Sequence, residues 1–296
     1  MSDFTTWMKS FVSTVDMGSF SRAGRMLNTS QSTISKHIAA LEGRLHTRLF
    51  NRSTRVLALT DEGALFYESA LRALAALDEA TASVGGLGSV EGMLRISMPL
   101  TLAESHVIPL IADFLELNPG VEIDLRLSDH ALNLVADNLD FSIRVGQLSD
   151  SNLIARKIGM ARRIAVASPA YLARAGIPLR PQDLANHRCI IYSLLSSGPT
   201  WSFTDGTSVS VGGNFLADNP NALRIAALSG AGVVVNARWL FERDLESGTL
   251  VEVLPDFEPI PMPIHIMLPS GRYIAARTRA LVEYIASAFA SDPSLN

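Results

Sequence analysis

Apolar side chains at Phe4, Trp7, Met8, Phe11, Val12 and Val15 recur at steps of three, one, three, one and three, which places them on one face of a helix that Gly18 is suited to stop. A short second helix, capped by Ser19 or Ser21, carries Ala23, Met26 and Leu27. Asn28-Thr29 makes a tight turn, and Ser30 caps a third helix from Gln31 to about Leu45 whose inner face is Ile34, Ile38, Leu41 and Leu45. The outer face is Gln31, Ser32, Ser35 and Lys36, with Thr33 and His37 at its flank. After the apolar pair Leu49-Phe50 comes a polar, basic stretch from Asn51 to Arg55; Val56, Leu57 and Leu59 then return to the core, as in a hairpin with Arg52 and Arg55 at its tip.

Thr60 can cap a further helix, with Asp61 and Glu62 in its first turn. Phe66, Ala70, Ala73, Leu77, Ala80 and Val84 repeat at alternating steps of four and three, and Tyr67, Leu71 and Leu74 widen this coiled-coil stripe. A helix from Thr60 to Val84 is about 37 Å long at 1.5 Å per residue. No neighbouring segment is obviously able to bury so long a face, so pairing with a second copy is the economical solution; packing inside one chain is the alternative. Gly85-Gly86-Leu87-Gly88-Ser89 ends the helix in a hinge.

From residue 90 the pattern changes to strands alternating with helices, which argues an α/β body with a largely parallel sheet. Strands are expected at Met93 to Met98, Val121 to Leu127, Phe141 to Val145 and Ile164 to Ala167, with helices ending near Leu117, at Leu132 to Ala136 and after Ser168. The pattern restarts after Pro181: a strand at Cys189 to Tyr192, antiparallel strands around Trp201, Phe203, Val209, Val211 and Phe215, and a helix opened by Asn219-Pro220-Asn221. A strand at Gly232 to Val235, a helix near Trp239 to Leu245, strands at Leu250 to Leu254 and Pro263 to Leu268, and a last helix from about Ala275 to Ala288 complete it. Two lobes fit this length, with the chain crossing between them near Ala161 and again near Met267.

Charge sharpens the division. The chain carries a net −4, yet residues 1–60 hold eight basic side chains against Asp3, Asp16 and Glu42, a local surplus of five that leaves −9 on the remainder. Such asymmetry fits a basic reader fused to an acidic body. The outer face of the third helix offers the side chains that a recognition helix presents to the major groove: Gln pairs with adenine, Lys reaches guanine or phosphate, Ser reaches base or backbone. On the residues alone, a solvated face of an ordinary three-helix unit remains open beside this reading.

The order and spacing of Phe20-Ser21-Arg22-Ala23-Gly24-Arg25-Met26-Leu27, Ser30-Gln31-Ser32-Thr33-Ile34-Ser35-Lys36-His37-Ile38, Leu41-Glu42, Leu49-Phe50-Asn51-Arg52 and Leu59-Thr60-Asp61-Glu62-Gly63 resemble the LysR-type transcriptional regulators. Leu94-Arg95-Ile96-Ser97, Phe141 to Gly146, Ala167 to Leu172 and Gly230-Ala231-Gly232-Val233 are similar to the effector domain of the same family. The resemblance implies an α + α/β chain: a winged helix-turn-helix (1–59), a linker helix for dimerisation with its hinge (60–89), and a two-lobed effector domain with the type 2 periplasmic-binding-protein fold (90–296). Lobe I would span about 90–161 and 268–296, and lobe II about 162–267. DNA contacts would fall on Gln31, Ser32, Thr33, Ser35 and Lys36, with wing contacts at Arg52 and Arg55, and the linker stripe would pair two copies. Two departures stand out: Gly24 where the family usually has Ala, which should weaken the second helix, and His46 where it usually has Gly, at a position suited to positive φ.

By the same resemblance a small-molecule effector would sit between the lobes, against Ser97, Pro99, Leu100, Thr101, Val145, Gly146, Ser168, Phe203, Asp218 and Asn219. Thr101 and Ser168 are donors suited to a carboxylate, though capping a helix accounts for them equally; Asp218 is either a cap, a repeller of anions or a partner for an amine or hydroxyl. The implied partners are double-stranded DNA at a pseudo-palindromic promoter site, the effector, and self as a dimer extending to a dimer of dimers. Neither cofactor nor metal is expected. The lone Cys189 forms no intramolecular disulfide and reads as a small core residue, and the six histidines lack metal-ligand spacing. Nucleophile-elbow and phosphate-loop motifs are absent, which argues against an enzyme. With no membrane-length apolar run and no secretory pattern at the N-terminus, the expected compartment is the cytoplasm. The rival function is a cytoplasmic small-molecule-binding protein with an accessory helical domain, which leaves the basic reader unexplained.

Overall fold

The computed structural model describes residues 2–51, 57–84, 90–134, 136–137, 139–148, 153–195, 197–269 and 274–296. Three helices form the head, α1 (Ser2–Met17), α2 (Phe20–Met26) and α3 (Gln31–Leu45), followed by antiparallel strands β1 (Phe50–Asn51) and β2 (Ala58–Leu59) and the long α4 (Asp61–Val84). Local chemistry sets the boundaries. Gly18 turns the chain at φ +58, Ser19 accepts from the Arg22 amide to start α2, and Ser30 accepts from the Thr33 amide to start α3. Phe11, Ile34, Leu41 and Leu49 fill the head core, and the Phe11 ring packs at 5.4 Å from both Phe50 and Phe66.

Both departures from the family pattern have a local counterpart. His46 caps α3 in the left-handed region at φ +52, where glycine is the unstrained choice. At Gly24 a Cβ would stand 2.9 Å from the Thr29 carbonyl and 3.2 Å from the Gln31 amide. The expected weakening of α2 is thus offset by a close approach of α2 to the turn before α3, where the Thr29 amide donates to the Gly24 carbonyl at 2.8 Å.

The linker stripe divides. Ala70 and Leu74 are buried in the head core, with Phe66, Tyr67 and Leu71 packed against it. The expectation that no neighbouring segment covers this face is corrected for its first half: α1 packs against α4, so Ala70 is buried in the head of its own chain and Phe66 packs against that core. Ala73 and Leu77 are exposed, Leu77 by 41%. The side chains of Ala80 and Val84, and the hinge at 85–89, lie outside the described residues.

The body begins with β3 (Gly92–Met98), α5 (Leu100–Leu102), a π turn at Ala103–Val107 and α6 (Ile108–Leu117). It continues through β4 (Val121–Leu127), β5 (Phe141–Val145), β6 (Leu153–Ala161), β7 (Arg163–Ala167), α7 (Pro169–Ala175) and β8 (Arg188–Tyr192). Next come β9 (Thr200–Ser202), β10 (Ser208–Ser210), β11 (Gly212–Ala217), α8 (Pro220–Leu228), β12 (Val233–Ala237) and α9 (Glu242–Glu246). The chain closes with β13 (Val251–Val253), β14 (Met262–Pro269) and α10 (Ala276–Ser291). Two five-stranded sheets result, ordered β4-β3-β5-β14-β6 and β11-β8-β12-β7-β13, with β9 and β10 paired as a separate antiparallel hairpin. In each five-stranded sheet the first two pairings are parallel and the last two antiparallel, so these sheets are mixed rather than largely parallel. Leu94, Ile96, Phe141 and Ile266 of the first sheet pack under Leu281, Ile285 and Phe289 of α10.

The chain passes from first sheet to second between Ala161 and Arg163. It returns between Val253 and Met262, earlier than the expected Met267, so β14 belongs to lobe I. The apolar run of β14 identifies a strand but carries no sign of which sheet receives it; Ile264 and Ile266 are fully buried in the first. The helix expected at Leu132 to Ala136 is a turn among its described residues. Asn133 Oδ1 accepts from the Ala136 amide, and the Asp137 carboxylate accepts from the Asn133 amide, both at 2.9 Å, so side chains take up donors that a helix would use. Among the described residues no helix is long and apolar enough to cross a membrane.

Candidate functional site

On the head, Gln31, Ser32, Ser35 and Lys36 are exposed while Ile34, Ile38 and Leu41 are buried, so helical periodicity turns one polar face of α3 outward at its N-terminal end. Thr33 is half-buried and its hydroxyl lies 2.8 Å from Ser30 Oγ, so it belongs to the cap of α3 rather than to the outward face. At the flank, His37 Nδ1 lies 2.8 Å from Ser10 Oγ, which fastens α3 to α1. Glu42 accepts from the Leu49 amide at 2.8 Å, holding the base of the β1–β2 hairpin to α3. Thr60 then donates to the Arg48 carbonyl at 2.7 Å and accepts from the Gly63 amide at 2.9 Å. Gly63 is required there: a Cβ would fall 2.1 Å from the Leu49 carbonyl oxygen. The hairpin base is therefore oriented relative to α3; its tip, with Arg52 and Arg55, lies outside the described residues.

A cavity of about 320 Å³ lies where the two sheets meet. Of the residues expected around an effector, Pro99, Thr101, Val145 and Gly146 line it. The other six do not. Ser97 is fully buried behind the wall, where its hydroxyl accepts from Arg144 at 3.3 Å. Leu100 is half-buried off the cavity. Ser168 is buried and caps α7 by accepting from the Tyr171 amide. Phe203 is in the core of lobe II with Trp201 because side chains alternate along a strand: Thr200 and Ser202, one position away, face the cavity instead. Asp218 lies 3.1 Å from His130 Nε2, and Asn219 caps α8 while its Nδ2 donates to Asp129 at 3.4 Å. Both therefore join the loop after β4 to the start of α8, one lobe to the other.

The cavity's strongest chemistry comes from residues that periodicity and resemblance did not single out. Arg144 of β5 donates to the Ser128 carbonyl at 2.7 Å; burial lowers its pKa while Asp129 acts the other way. Burial raises the Asp129 carboxyl, opposed by Arg144 and His130. Tyr192 is pushed well up by burial and by Asp129 and Asp218, so its phenol stays protonated. Arg163, first residue of β7, is 7% exposed, and burial alone brings it down to about 10. Asn236, Leu102, Trp239 and Met262 also line the cavity. The available signal is a charged or amide side chain inside a largely apolar strand, as in Phe141-Ser142-Ile143-Arg144-Val145 and Val233-Val234-Val235-Asn236-Ala237. Cys189 is a core thiol that burial pushes up to about 12, and no cluster of three metal-ligating side chains occurs among the described residues.

A family model described as "Bacterial regulatory helix-turn-helix protein, lysR family" matches residues 5–64, and one described as "LysR substrate binding domain" matches residues 87–290. The chain is 34% identical to the HTH-type transcriptional regulator PtxR of Pseudomonas aeruginosa, over 96% of this chain and 92% of that protein. It is 33% identical to an HTH-type transcriptional regulator of Xanthomonas campestris pv. campestris, over 93% of this chain and 82% of that one. Among solved structures, the LysR-type transcriptional regulator CrgA of Neisseria meningitidis superposes with a TM-score of 0.61 at 30% identity, covering 96% of this chain and 98% of CrgA.

Proposed function

This chain belongs to the LysR-type transcriptional regulators, DNA-binding proteins with an effector-binding domain, and from that premise we propose how its own residues divide the work. Gln31, Ser32, Ser35 and Lys36 enter the major groove and read or grip the operator, with Thr33 holding the cap of the helix that carries them. Arg52 and Arg55 of the wing grip the flanking backbone or minor groove. The observation that carries this is the orientation of α3, whose polar side chains are exposed along one face while Ile34, Ile38 and Leu41 are sealed in the head core.

The inter-lobe cavity, bordered by Pro99, Thr101, Val145 and Gly146, holds the effector. Occupancy favours one arrangement of the lobes and repositions the DNA heads. Two copies pair along the second half of α4, through Ala73, Leu77, Ala80 and Val84, and two such dimers assemble further on a pseudo-palindromic promoter whose half-sites lie about one helical turn or a multiple apart. The protein acts in the cytoplasm and catalyses no reaction. Nuclease protection of genomic promoter fragments tests this reading: a protected, symmetric site is expected, and its extent should change when the cavity is filled. Uniform protection along every fragment contradicts it.

A further inference from the structure

Arg163 is the least compensated charge of the cavity wall. Among the described residues its Nε is buried without a hydrogen-bond partner, and its Nη1 reaches only the Ile260 carbonyl, at 3.5 Å. Among the described ion pairs none includes it; the adjacent Arg162 takes Glu258 at 2.9 Å. Arg144, the other guanidinium of the wall, differs: the Ser128 carbonyl and Ser97 hydroxyl accept from it, and Asp129 stands close enough to offset its charge. A guanidinium taken out of water without an acceptor is costly, and buried charges are as a rule paired, so an anion entering the cavity would supply the partner that this one lacks. Its place in the chain adds meaning. Arg163 is the first residue of β7, where the chain crosses from one sheet to the other, and the Ile260 carbonyl lies on the return crossing.

Resting on the reading of this cavity as the effector site, we infer that the effector is a small monocarboxylic acid whose carboxylate seats on Arg163 and whose apolar body lies against Leu102, Trp239 and Met262. One carboxylate is expected rather than two, because Asp129 already offsets Arg144. Tyr192, a protonated phenol in the same wall, offers a donor to a polar substituent or to the second carboxylate oxygen. A cavity of about 320 Å³ is at the small end for ligand sites, so the acid is compact. Seating an anion on Arg163 ties the ligand to both crossings and so to the relative position of the lobes.

The test uses the full-length chain with matched probes: benzoate, cyclohexanecarboxylate and phenylacetate, each beside its neutral amide, and phthalate as the dianion. Thermal unfolding and calorimetry are read for the unaltered protein, Arg163→Gln, Arg163→Lys and Trp239→Ala. At least one monocarboxylate should raise the Tm while its amide and phthalate do not. Its affinity should fall about 100-fold in Arg163→Gln, with an intermediate loss in Arg163→Lys. Without probe, Arg163→Gln should unfold at the same temperature as the unaltered protein or higher, since it removes an unpartnered buried charge. A lower Tm for ligand-free Arg163→Gln, no response to any acid, or an acid response that survives in that variant overturns the assignment. An amide that stabilises the protein through Trp239 but independently of Arg163 overturns the carboxylate and leaves the cavity as the effector site. A response indifferent to both variants removes the cavity as well.

Discussion

Ser10 and His37 join α1 to α3 through a hydrogen bond of 2.8 Å between Oγ and Nδ1, behind the exposed polar face of α3. Ser10 is buried and His37 half-buried, so the bond fixes the rotation of α3 about its own axis. Ser10→Ala should loosen α3 by about 1 kcal/mol, the usual net worth of one such bond. Hydrogen exchange at the α3 amides of the full-length protein reads this directly. Unchanged protection would show that apolar packing alone sets the helix.

His46 holds a left-handed conformation that costs a residue with a Cβ about 1 kcal/mol relative to glycine. His46→Gly should therefore stabilise the head by about that amount, seen as slower exchange in α3 and the hairpin base. Gly24→Ala should do the reverse despite its better helix propensity, because the new methyl meets the Thr29 carbonyl. A stabilising Gly24→Ala contradicts the tight turn.

Within α4, neighbouring leucines should behave differently. Leu74 is fully buried in the head core and Leu77 is exposed. Leu77→Asp should convert dimer to monomer in sedimentation while leaving the head folded. Leu74→Ala should cost about 2–5 kcal/mol of head stability by opening a cavity, with pairing through the later turns retained. An intact dimer in Leu77→Asp would reject the shortened seam.

The effector domain should weaken in mild acid. His106 stands edge-on to Trp239 at 5.1 Å, with its Nδ1 buried and without a hydrogen-bond partner among the described residues; burial depresses its pKa below the ordinary 6.5, against the pull of Asp292 and Glu242. His265 is lowered in the same sense, by burial and then by Lys157. The unfolded chain takes up protons near 6.5 and the folded chain only at lower pH, so stability is full above that value and is lost as pH falls below it. The Tm should drop between about pH 7.5 and about pH 5.5, with a shallower slope in His106→Gln. An identical slope in the variant would remove His106 as a source.

Much of the head was legible because its determinants are local. The burial of Ile34, Ile38 and Leu41 follows from periodicity, and the Ser30 cap from one side chain and the amide three residues on. The split of the α4 stripe was not, since nothing in the spacing of Phe66 and Ala70 tells a neighbouring helix from a second copy. Around the cavity, Pro99, Thr101, Val145 and Gly146 followed from resemblance, whereas Arg144, Arg163 and Tyr192 converge from strands distant in sequence and are brought together only by the sheets. Phe203 shows how fine the margin is: one position along the strand separates a core side chain from the cavity-facing Ser202.

The polar face of α3 that opens at Gln31 is tested most directly by the ratio of affinities for a protected genomic duplex and for the same duplex scrambled, at fixed salt. The unaltered protein should prefer the genomic duplex by about 1,000-fold or more, and the Gln31→Ala/Lys36→Ala double variant, folded and still dimeric, should lose most of that preference. A double variant that discriminates as well as the unaltered protein would place sequence reading elsewhere on the molecule.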